Sequence, residues 1–106
     1  MRYSMSAALL DACVLGVISV EETYGYDLTQ KIGMTADISE STVYPVLRRL
    51  SKDGMLDTYD RPFEGRNRRY YKITDKGTEF LTECIADWYV YKESVEKLMT
   101  AGGCVA

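Results

Sequence analysis

The chain has 106 residues, 46% of them apolar and 27% charged, and thirteen Lys and Arg against sixteen Asp and Glu give a net charge of -3. That size and balance fit one globular domain and argue against disorder. Histidine is absent, which removes the commonest general base near neutral pH, Ser-His and Cys-His nucleophile pairs, and most zinc sites.

No G-x-x-x-x-G-K phosphate loop and no recognisable catalytic pairing of carboxylates occurs, so neither an enzyme nor a cofactor or metal is expected. Cys13, Cys84 and Cys104 are odd in number and lack a C-x-x-C spacing. Free thiols in a reducing cytoplasm are expected, two of them behaving as small apolar residues. The longest apolar run, "AALLDACVLGVISV", is interrupted by Asp11 and is too short to span a bilayer. Neither a signal peptide nor a membrane partner is expected.

Charge is segregated. Residues 1–40 carry two basic and six acidic side chains, residues 41–76 nine and five, and residues 77–106 two and five. A basic middle between acidic flanks is the electrostatic footprint expected of a polyanion binder, and on charge alone equally that of a solvated surface whose charges cluster by chance. It is sharpest in "GRNRRYYKIT", Gly65 to Thr74, which holds four cations and no carboxylate.

In chain order, Ser4 to about Ser19 is almost wholly apolar, with Met5, Leu9, Ala12, Cys13, Gly16 and Ile18 near helical spacing, which predicts a buried helix. A second, short helix is predicted over about Tyr24 to Ile32, with Gly33 as its stop. The third, "SESTVYPVLRRLSKDG", is predicted to be capped by Ser39 and ended by Gly54. Val43, Val46, Leu47 and Leu50 fall on one arc at 100° per residue, and Ser41, Tyr44, Pro45, Arg48 and Lys52 on the opposite one. Pro45 inside a helix removes a backbone hydrogen bond, so its presence requires a reason.

Two strand-like runs follow, "MLDTYDR" and "NRRYYKIT", joined by "PFEG"; Pro62 and Gly65 predict a hairpin whose loop exceeds two residues. Alternation turns Ile73 and Tyr71 inward and Tyr70 and Lys72 outward, and places Arg66, Arg68 and Arg69 at a tip wet on both faces. The last helix begins at Thr74 as N-cap and runs to about Met99, before Gly102 and Gly103. Leu81, Cys84/Ile85, Trp88, Tyr91/Lys92, Val95 and Leu98/Met99 repeat at nearly 3.5 residues. A helix of that length reaches about 37 Å, more than the small body can cover, and a second copy of the chain is the simplest partner for its stripe. The expected fold is mainly α with a small β-hairpin: a winged helix-turn-helix over residues 1–74, a dimerisation helix over 75–101 and a flexible tail over 102–106.

"YGYDL" (Tyr24 to Leu28), "STVYPVLRRL" (Ser41 to Leu50), "DGML" (Asp53 to Leu56) and "GRNRRYYKITDKG" (Gly65 to Gly77) closely resemble the PadR-like transcriptional regulators. The single C-terminal helix resembles the short branch of that family. The resemblance implies a homodimeric bacterial repressor of an operator in double-stranded DNA, dimerised by its last helix against the partner's first. It implies base contacts from Ser41, Thr42, Tyr44 and Arg48 in the major groove and phosphate contacts from Arg66, Arg68 and Arg69. Lys52 and Lys72 join the DNA set by their charge and outward placement. Tyr44 has a second reading, as a partly buried tyrosine between the two helices of the motif. The loop "GMTADISES" departs from many relatives in being shorter and more acidic, with Asp37 and Glu40 near the implied DNA surface.

Dimerisation is assigned to Leu81, Ile85, Trp88, Val95 and Leu98. In some short members of the family a tryptophan at the matching place pairs across the dimer and sandwiches flat aromatic ligands. The looser match "DWYVYKESVEKL" therefore makes Trp88, with Met5 as an adaptable wall, a candidate site for a planar aromatic molecule. The alternative is that Trp88 fills the dimer core. A winged-helix protein-docking module without DNA binding is the rival function, and three arginines on the wing argue against it.

Overall fold

The computed structural model describes residues 2–104. Helix α1 spans Ala7–Val20, strand β1 Thr23–Tyr24, α2 Gly25–Ala36, α3 Glu40–Lys52, β2 Leu56–Phe63, β3 Arg66–Ile73 and α4 Asp75–Met99. The three strands form one antiparallel sheet in the order β1-β3-β2. The four helices and this sheet enclose a core of Leu10, Val14, Leu15, Ile18, Leu28, Ile32, Val43, Leu47, Leu50, Leu56, Tyr71 and Leu81 with their neighbours. This is the expected mainly α fold with its hairpin and long last helix.

Where the structure departs from the sequence reading, a local physical cause is visible. α1 starts at Ala7, three residues late, because Ser6 is its cap and accepts from Leu9 N–H at 3.2 Å. Its buried face is Leu10, Val14, Leu15 and Ile18; of the predicted set only Ile18 belongs to it. α1 is apolar nearly all round, so its periodicity could not say which arc the core would take. α2 passes through Gly33 and stops at Asp37, whose left-handed backbone (φ 54°) returns its N–H to Gly33 O at 3.0 Å. Ser39 does occupy the N-cap position of α3, but its hydroxyl bonds the hydroxyls of Ser41 and Thr42 rather than a backbone N–H.

The hairpin loop is two residues long, not longer. Glu64 and Gly65 both have positive φ, 49° and 78°, the conformation whose twist matches that of the paired strands. Pro62 therefore lies inside β2, opposite Asn67. Phe63 and Arg66 flank the turn as its hydrogen-bonded pair, so the next pair out makes no ladder bonds and the missing proline N–H costs nothing. β1, only two residues long, went unpredicted because no periodicity can register in two positions. Thr74 caps α4 as expected, accepting from Gly77 N–H at 3.0 Å. Gly102 to Cys104 follow a final turn, and residues 105–106 of the expected tail lie outside the described residues.

Candidate nucleic-acid interface

α3 turns the predicted arcs the predicted way. Val43, Val46, Leu47 and Leu50 are buried, while Ser41, Pro45, Arg48 and Lys52 line up along one exposed face at spacings of four, three and four. Thr42 is exposed beside them, and the hydroxyls of Ser41 and Thr42 lie 2.9 and 3.3 Å from that of Ser39. The start of α3 is thus a cluster of hydroxyls. Tyr44 is half-buried, with its ring against the first residue of α2; a Cβ on Gly25 would stand 2.6 Å from it. The packing reading of Tyr44 thus describes its ring, which also lines the hollow described below.

Neighbouring cations differ in what already holds them. Arg49 is paired with Asp11 of α1, which anchors the C-terminal half of α3 to the first helix. The Asp11 carboxyl is still pushed above its ordinary pKa, because its burial outweighs the attraction of Arg49. Arg48, Lys52 and Arg66 are exposed and carry no ion pair among the described residues. Arg69 reaches Asp60 across the hairpin at 3.6 Å, and Lys72 reaches Glu22 at 3.9 Å. Such exposed pairs contribute about 1 kcal/mol or less, so both cations are available to a stronger anion.

The tip of the wing is exposed, as the sequence reading has it, except at Arg68, which is half-buried. The Arg68 guanidinium lies 3.6 Å from the centre of the Phe63 ring and 3.9 Å from that of Tyr24. Arg61 stands 4.5 Å from the Tyr70 ring, which in turn lies 5.5 Å from both Tyr59 and Tyr24. Alternation along paired strands puts all these side chains on one face, building a stack of cations and rings that stiffens the wing. A hydrogen bond to Glu22 raises the Tyr59 pKa at the foot of the stack. Stacking uses the two flat faces of Arg68 and leaves donors at its edge.

Wing, α2 start and α3 together surround a hollow of about 680 Å³, lined by Arg66, Arg68, Arg69, Tyr26 and Tyr44 among others. Four predicted site residues thus converge there, while Ser41, Thr42, Arg48, Lys52 and Lys72 lie outside its lining. Tyr26, exposed at the second position of α2, and Asn67 belong to the hollow and were missed. The signal for Tyr26 was the Tyr-Gly-Tyr run itself, whose central glycine is the only residue that fits under Tyr44.

A second hollow, about 700 Å³, runs between α1 and α4. Met5, Leu9, Ala12 and Gly16 form one wall and Cys84, Ile85, Trp88 and Tyr91 the other. Met5 and Trp88 are therefore brought to one groove. Of the assigned dimerisation residues, Leu81 is buried in the chain's own core, Val95 is half-buried, and Ile85, Trp88 and Leu98 are 46%, 40% and 79% exposed. Those exposures leave most of the α4 stripe uncovered within one chain. Cys13 and Cys84 both border this groove, and burial raises both thiols above their ordinary pKa, which makes them poor nucleophiles. All three cysteines are free, with Cys13 and Cys104 exposed. Among the described residues no His/Cys/Asp/Glu cluster could hold a metal, and no helix is long and apolar enough to cross a membrane.

The family described as transcriptional regulator PadR-like matches residues 14–83, from α1 through the first turns of α4. The crystal structure of smu.1704 from Streptococcus mutans is 39% identical, with a TM-score of 0.85 over 100% of this chain and 98% of that one. An uncharacterised protein X of Lysinibacillus sphaericus is 33% identical over 95 residues, which cover 85% of this chain and 87% of that protein. Bacillus subtilis PadR, solved in complex with operator DNA, is 25% identical with a TM-score of 0.67 over 72% of this chain and 46% of that one.

Proposed function

The chain belongs to the family of PadR-like transcriptional regulators, and from that premise we propose that it is a cytoplasmic repressor that binds operator DNA as a homodimer. The observation that carries this reading is the convergence of Arg66, Arg68 and Arg69 with Tyr44 on one concave surface beside the exposed face of α3. Guanidinium groups form bidentate bonds to phosphate and to the guanine edge, which suits Arg over Lys on such a surface. α3 enters the major groove with Ser41, Thr42, Tyr44 and Arg48, Lys52 closes its far end, and the wings set Arg66, Arg68, Arg69 and Lys72 on flanking phosphates. That B. subtilis PadR was solved in complex with operator DNA supports DNA as the partner.

Residues 1–74 act as the DNA-binding unit and residues 75–101 as the dimerisation helix. The exposed Ile85, Trp88 and Leu98, on one stripe with the half-buried Val95, support a two-fold pairing, which sets half-sites about 34–36 Å apart or a multiple of that. Leu81 serves the fold of each chain first. The groove holding Met5 and Trp88 supports a planar aromatic ligand as effector, stacked on the indole face. The test begins with duplexes selected from random DNA by the purified protein. Sequence-selective binding with a steep salt dependence is the expected result; absence of any shift at low salt would leave the rival reading, a winged-helix module that docks proteins.

A further inference from the structure

We propose that Pro45 determines part of the operator specificity by reading the methyl group of a thymine in the major groove. The inference deepens the DNA-binding reading of α3 and rests on it. Pro45 lies at the middle of the exposed line formed by Ser41, Arg48 and Lys52, and it takes no part in the hydrophobic core. It is nevertheless inside a continuous helix from Glu40 to Lys52. Its missing N–H is the one that would bond the carbonyl of Ser41, four residues earlier. Proline is the poorest residue for a helix interior, by about 3 kcal/mol against alanine. The fold gains no buried surface in exchange, so the residue is there for what it presents outward.

What it presents is a small, rigid apolar ring among hydroxyls and cations. Polar side chains on such a face match the donors and acceptors of base edges and the phosphates. Only one apolar group is displayed in the major groove, the 5-methyl of thymine. A proline ring has almost no rotamer freedom to lose on contact, so the burial of one methyl is felt nearly in full. Thr42 and Tyr44 flank Pro45 and also carry apolar atoms, which makes them the competing readers that a test must separate.

The test uses the native dimer and the highest-affinity duplex selected from random DNA, with thymines replaced one at a time by deoxyuridine, which lacks only the methyl. At one position, or at its symmetry-related pair, uridine lowers the affinity of the native protein about fourfold, the equivalent of about 0.8 kcal/mol for one buried methyl-sized group. In Pro45→Ser that penalty falls within about 1.5-fold, while helicity by circular dichroism and the salt slope stay as in the native protein. Thr42→Ser and Tyr44→Ala each leave the fourfold penalty in place. Indifference of the native protein to uridine at every thymine overturns the proposal, as does an undiminished penalty in Pro45→Ser. No binding of any duplex overturns the DNA-binding reading itself, a result distinct from either of these.

Discussion

The two hollows of this chain are nearly equal in size, about 680 Å³ between the wing and α3 and about 700 Å³ between α1 and α4, but their walls are chemically opposite. Arginines and tyrosines from four elements surround the first; leucine, isoleucine and tryptophan from two helices, with Met5 ahead of α1, line the second. The first gathers positive charge in a chain of net charge -3 and suits a polyanion, whose attraction acts at a distance and weakens with salt. The second has little charge to offer and suits an apolar surface or a flat ring, whose attraction follows the area removed from water. α1 and α3 share one core: α1 turns its other face to the apolar hollow, and α3 borders the polar one with Tyr44.

The comparison breaks completely if the shared core is lost. Leu47 is fully buried, and Leu47→Asp places an unpaired carboxylate there at a cost of about 3–5 kcal/mol or more, comparable to the stability of a small domain. Circular dichroism is expected to show an unfolded chain, with both hollows abolished together. Leu98→Asp acts on the apolar side alone. Because Leu98 is 79% exposed in a single chain, each chain should stay folded, while a carboxylate buried in the proposed two-fold interface should weaken that dimer by about 3 kcal/mol or more. Equilibrium sedimentation is expected to show monomers; an unchanged dimer would place the interface elsewhere.

Gly25→Ala acts on the polar side alone. A Cβ there stands 2.6 Å from the Tyr44 ring, and moving that ring costs about 1–3 kcal/mol of stability. DNA affinity should fall while dimer mass and the fluorescence of Trp88 stay constant. Within the wing, Arg66→Ala should flatten the salt slope by about 0.9 for each wing on the DNA, about 1.8 for the proposed dimer, with wing amide exchange unchanged. Arg68→Ala should flatten it likewise and also speed exchange over residues 63–68, because the Phe63–Arg68–Tyr24 stack is lost. Equal exchange in the two variants would show that the stack does not stiffen the wing.

The smallest effect is one of pH. Hydrogen bonds from Thr23 and then Lys31 hold the Asp27 carboxyl below its ordinary pKa. A lowered folded pKa means stability present above the unfolded value, near 3.9, and lost as pH falls through the folded one. Asp27→Asn should remove that part of the acid dependence and leave DNA binding at neutral pH unchanged. A titration curve identical to that of the native protein would show that these bonds do not persist in solution.

For α3, α4 and the second strand of the hairpin, the order of residues alone was enough. α3 has one apolar arc and one polar arc, so only one face can go inward; Tyr71 and Ile73 alternate with Tyr70 and Lys72 for the same reason. Thr74 and the largely apolar stripe behind it announced α4 with little room for another reading. Tertiary structure decided the rest. α1 offers two apolar arcs, and only the positions of α2, α3 and α4 determine that Leu10 and Val14 enter the core while Leu9 and Ala12 face the groove. β1 exists because β3 supplies its hydrogen bonds, and Tyr26 joins the arginines because Gly25 lets α3 close on α2. Arg66, Arg68 and Arg69 read alike in sequence, but one is free, one is held between rings and one faces Asp60. Periodicity reports the faces of a single element, whereas a partner for each face comes from elements distant in the chain, and that choice is made only when they pack.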